Sequence, residues 1–208
     1  MIIFSYHYLF ASIAGIIAIL VEARYIYTIL KWKTIPNFSG WCIMSISMSC
    51  IFISSYFAWG WASIWLIGVL ACLHIFESII AYFYGVFRFT KLDITLLTVA
   101  VLSMVLWYFT NNPTYVIVIN TFVDALGMTL IGYKLYRFPE TEDKIAWIMS
   151  DSVYFIDLFA IENFTIADSF FVIVNVCVWF IMVLLTFRKM TFFRRLYFHV
   201  CKFLHIKV

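Results

Sequence analysis

The chain has 208 residues, of which 65% are hydrophobic and only 12% charged, with a mean hydropathy of +1.02. Soluble domains run about 45–50% apolar and about 25% charged, so these values exclude a water-soluble domain. The formal net charge of +3 does not mark a nucleic-acid partner, because every Lys and Arg except Arg24 falls at one set of helix ends.

Seven stretches are apolar enough to cross a bilayer, where about 20 helical residues span the hydrocarbon core. The first, about 8–30, follows "MIIFSYHYLF", which has no basic region and no small-residue cleavage site, so it is expected to be retained. Glu22 and Arg24 lie in its half nearer Lys31 and Lys33. Two residues apart on a helix, they point apart, and each is expected to pair on another helix. A polar loop beginning at Pro36 leads to the second span, about 40–58. Its series Ser45, Ser47, Ser49, Ser54 and Ser55 marks close helix packing. The third, about 62–86, places His74 and Glu77 three apart, where they can share a hydrogen bond or relay a proton.

After Arg88 and Lys91 comes the fourth span, about 93–109, with Asp93 at its start. The fifth, about 114–136, carries Asn120 and Asp124 on one face, with Gly127 close to the same stripe. Lys134, Arg137 and Lys144 surround the next loop, which begins at Pro139. In the sixth, about 145–161, Trp147, Asp151 and Tyr154 share one face. Asp157 and Asp168 are expected near the outer surface, satisfied by water. Asn175 sits mid-way along the seventh span, about 165–187, and a basic tail follows.

Basic residues on alternate loops and in the tail predict the N-terminus outside and the C-terminus in the cytoplasm. The pattern also repeats. Glu22 precedes Pro36 as Asp124 precedes Pro139, and Trp41 or Trp147 starts the next span. The fold expected is therefore an all-α integral membrane protein with seven transmembrane helices. They form two parallel three-helix repeats (1–87 and 113–190) joined by a linker helix (88–112), with a tail at 191–208. Parallel repeats with a solute site between them are a transporter layout.

Polar groups inside lipid are costly unless they face partners or water. Asn120, Asp124, Asp151 and Asn175 are expected to hydrogen-bond a small polar solute while Trp147 and Tyr154 stack on it. Pro36 and Pro139 are the expected turns or hinges. The alternative is a non-transporting scaffold, sensor or assembly subunit in which these polar groups only hold helices together. An ion channel is a weaker third reading, and homo-oligomerisation stays open. No enzyme is expected. The last span has no Lys for a retinal Schiff base, the Gly-x-Gly-Asp pattern of intramembrane aspartyl proteases is absent, and no phosphate loop or nucleophile elbow occurs. The five cysteines have no metal-ligand spacing, and neither a cofactor nor a metal is expected.

With Pro in each repeat's turn, the layout resembles the SWEET and PQ-loop superfamily. Residues 113–187 resemble the Pnu-type bacterial vitamin transporters, through "WIMSDSVY" (147–154) and the preceding "NTFVDALGMTLIGYKLYRF". That resemblance implies nicotinamide riboside, thiamine or a similar solute, and a bacterial inner membrane. "RFTKLDITLLTVAVLSMVLWYFTNNP" and "YRFPETE" also resemble an uncharacterised family of small bacterial seven-span proteins. The chain departs from these patterns in places. The second span, "SGWCIMSISMSC", lacks the Asn pair of the Pnu-type helix, and the third lacks its Trp-rich end. The Pro-Gln pair becomes Pro36-Asn37 and Pro139-Glu140.

Overall fold

A computed structural model describes residues 6–58, 61–86 and 89–188. The N-terminal residues behind the signal-peptide reading, Arg88 and the tail from 189 onward lie outside the described residues. Seven α-helices follow in order: α1 (Tyr6–Leu30), α2 (Phe38–Ala58), α3 (Trp61–Tyr84), α4 (Lys91–Thr110), α5 (Pro113–Arg137), α6 (Lys144–Asp157) and α7 (Ile166–Thr186). Single 3-10 turns, Pro139–Thr141 and Leu158–Ala160, stand before and after α6. Among the described residues there is no strand beyond one isolated bridge between Asn37 and Val86.

Local chemistry sets several helix ends. Thr90 and Asp93 form a reciprocal capping box at the start of α4, so Asp93 is a capping group. Asn111 ends α4 in the left-handed region (φ 51°), and Asn112 then caps α5, whose first residue is Pro113. Asp143 caps α6 and Thr165 caps α7.

The protein is an all-helical, multi-pass membrane protein: six helices, all but α6, are long and apolar enough to cross a membrane. The α6 helix has 14 residues, a rise of about 21 Å against a hydrocarbon core of about 30 Å. The expected sixth span of about 145–161 is therefore α-helical only as far as Asp157, and the 3-10 turn to Ala160 extends it.

The helices pack as a ring in the order α1, α3, α2, α5, α7, α6 and back to α1, with α4 outside against α2 and α5. Exchanging α1 with α5, α2 with α6 and α3 with α7 leaves every neighbour pair of this ring in place. The tightest join is between α2 and α5. A Cβ added to Gly40 would lie 2.6 Å from Cγ1 of Ile131, and one on Gly127 would lie 3.0 Å from Cγ2 of Ile43. Glycine lets these backbones approach, and Met44, Met48, Met128 and Ile131 fill the space around them as a dry core. Ser45 and Ser49 turn their hydroxyls back to carbonyls of their own helix.

Candidate functional site

A cavity opens among α1, α2, α3, α6 and α7. It offers about 40 Å³ to the centres of water molecules. One water needs roughly 10–15 Å³ by this measure, so the space holds a few waters and no vitamin-sized ring in this conformation. Ala18, Val21, Leu70 and Leu73 form its apolar wall. Five aromatic rings, Tyr25, Trp41, Trp147, Tyr154 and Trp179, frame it, and Glu22, His74, Glu77 and Ser150 supply its polar atoms.

The rings have a regular origin. Trp41 and Trp147 stand one turn into α2 and α6 respectively. Trp41 packs on His74 of α3 with ring centroids 5.5 Å apart, and Trp147 packs on Trp179 of α7 at 5.2 Å. Tyr154 lies 5.5 Å from Trp179 on its other side. Asn175 does not reach the cavity. Its carbonyl accepts the Trp179 indole N–H at 3.2 Å, and its amide donates to the Phe171 carbonyl at 3.0 Å, so it positions Trp179. Trp179 escaped the sequence reading, although its place one turn beyond Asn175 was a usable signal.

The acids on the wall are Glu22 and Glu77. They are 7% and 3% exposed and stand on the same cavity wall, Glu22 from α1 and Glu77 from α3. No Lys or Arg lines the cavity. The expected His74–Glu77 bond does not form: Nδ1 of His74 has no hydrogen-bond partner, and neither does Oε2 of Glu77. Arg24 pairs with Asp143, the cap of α6, at 2.7 Å.

One end of the cavity is closed by a polar layer built from both Pro-containing loops. Glu142 is its hub. The carboxylate pairs with Lys134 at 2.6 Å and accepts from Tyr25 (3.0 Å) and from the Trp147 indole (3.3 Å). Lys134 also donates to the Ile35 carbonyl, and the Ile35 amide donates to the Thr141 carbonyl at 3.1 Å. On the far side of the first loop, the Val86 amide donates to the Pro36 carbonyl at 2.9 Å. Pro36 and Pro139 thus stand in loops tied to each other, the first also to Val86 just beyond α3. Glu142 was missed from sequence. Its signal was an acidic "ETED" inside a loop whose other charges are basic.

The remaining expected site residues lie elsewhere. Asn120 donates to Ser103 at 2.6 Å and joins α5 to α4. Asp124 is fully buried against α2, where Ser47 donates to it at 3.1 Å. Asp151 is half-buried with Oδ1 lacking a partner, and its neighbour Ser150 takes the wall position between Trp147 and Tyr154. Both aspartates are therefore corrected out of the cavity lining, as are Asn120 and Asn175. Asp157 is corrected too: it is fully buried, and neither carboxylate oxygen has a hydrogen-bond partner. Among the described residues no group of three His, Cys, Asp or Glu is placed to hold a metal. Comparison with family models, curated proteins and solved structures gives no match.

Proposed function

We propose that this protein is a membrane transporter in which a three-helix unit, α1–α3, rocks against a second, α5–α7, with α4 as the linker between them. One observation carries the reading: the helix ring maps onto itself when the two units are exchanged. Units of like direction related by an axis along the membrane normal place their solute site between them. The cavity sits on that boundary, drawing Trp41 and His74 from one unit and Trp147 and Trp179 from the other. On this reading α6, extended by its 3-10 turn, completes a seventh crossing.

The basic loops put the N-terminus outside and the C-terminus in the cytoplasm. The Glu142 layer then seals the cytoplasmic end, and solute enters after this layer or the opposite end parts. The resemblance to SWEET, PQ-loop and Pnu-type proteins supports a small polar or vitamin-like solute and a bacterial inner membrane. Uptake of radiolabelled thiamine and nicotinamide riboside into vesicles holding the purified protein tests this. Transport of at least one above protein-free vesicles is expected, with loss in Trp147→Ala. Absence of both, with correctly eluting protein, would favour the scaffold reading. The Asn120–Ser103 and Asp124–Ser47 bonds already support that alternative, since they act only between helices.

A further inference from the structure

We propose that Glu22 and Glu77 form a proton-binding site, holding one transferable proton between them inside the cavity. Three observations meet there. The two carboxyl groups line the same small cavity from α1 and α3, and each has a buried oxygen, Oε1 of Glu22 and Oε2 of Glu77, without a partner. Among the described residues lining the cavity, none is a Lys or Arg that could balance them. The groups facing the pair are Tyr25 on α1, His74 on α3 and Tyr154 on α6, while α2 and α7 present only indole rings, Trp41 and Trp179. The nearest further acid, Glu142, is already matched by Lys134. Two neighbouring carboxylates without a counter-ion do not both carry charge in a site this buried, so a proton stands in for the missing cation.

The third observation is His74. It is 3% exposed, it lies on the cavity wall, and its Nδ1 has no partner. The cavity has room for water beside the imidazole, and on this proposal the proton's route to and from the pair runs along that wall. The Asp124 and Asp157 carboxyls are buried outside this wall and do not belong to the site. Resting on the transport reading, this proton is the coupling ion: it leaves when the units rock and the pair is opened to water, and another returns from the opposite side.

Infrared spectroscopy of the purified protein reads the proton directly, without any solute, through the carbonyl stretch of a protonated carboxyl group. One such component is expected to shift when the native wild type is transferred to D₂O, which shows the proton to be transferable. Glu22→Gln and Glu77→Gln are each expected to move that component, since each removes the acidic neighbour of the other. The double variant should lack it, and Asp124→Asn should retain it. A component unmoved by either single variant, still present in the double variant, or unable to exchange in native protein would overturn the proposal. If the Gln variants fail to elute as folded protein, Glu22→Asp and Glu77→Asp, which keep a carboxyl group, are each expected to shift the component, and a component unmoved by both would overturn the proposal. A positive infrared result with no solute uptake would reject transport and leave the proton site standing.

Discussion

Along α2 and α5, Gly40 and Gly127 bring two backbones together over a dry core, and the polar contact reaching across is Ser47 to Asp124. Along α1 and α6 the small residues Ala18 and Ala146 border a water-sized cavity instead, and the join is held at its ends. At one end Arg24 pairs with Asp143, and at the other Phe10 packs on Phe159 with centroids 5.3 Å apart. These seams occupy equivalent places in the ring, yet one is filled by side chains and the other by space. A close-packed seam resists sliding because every displacement costs contacts. A seam with a cavity and one polar end can part there by exchanging protein hydrogen bonds for water. On the proposed transport reading, α2–α5 is the fixed side of the bundle and α1–α6 the side that opens.

Four substitutions probe this contrast by thermal unfolding of the purified protein in detergent. Lys134→Met strands Glu142 as a buried, unpaired charge and is expected to cost about 3–5 kcal/mol. Replacing Lys134 and Glu142 together by Met should recover most of that loss. A double variant as unstable as the single would mean that the layer is not held by this pair. Next, Gly40→Ala forces a Cβ against Ile131, for an expected loss of about 1–3 kcal/mol. An unchanged melting temperature would mean that the α2–α5 seam is slack. Ser47→Ala removes an interhelical hydrogen bond to Asp124 and should cost about 0.6–1.7 kcal/mol. Arg24→Gln is expected to cost least, under about 1 kcal/mol, because the Arg24 side chain is 39% exposed and its pairing is screened. A larger effect of Arg24→Gln than of Lys134→Met would invert the assignment of the buried hub.

Much of the architecture was legible in the chain. The apolar runs placed the helices to within a few residues, while the caps Thr90, Asn112 with Pro113, Asp143 and Thr165, a local signal the sequence also carries, went unread. Trp147 and Tyr154 were found because both lie on one stripe of α6, and that stripe does face the cavity. Asp151 shared the stripe in projection, but it lies at the stripe's edge, and Ser150 occupies the wall. Asp124 was placed correctly on the inner side of α5 and wrongly at the solute boundary. Facing inward and facing the cavity are different conditions, and only the first leaves a trace in helical periodicity.

Residue order alone determined that the protein is helical, that it lives in lipid and where its helices begin, because apolarity, loop charge and capping are short-range properties. Tertiary packing decided that Glu22 and Glu77 line one cavity, that Glu142 gathers Lys134, Tyr25 and Trp147, and that one seam is dense while its counterpart is hollow. The α1 helix is apolar on nearly every side, so no period singles out the face that carries Glu22, and a buried carboxyl takes whichever partner the neighbouring helix presents.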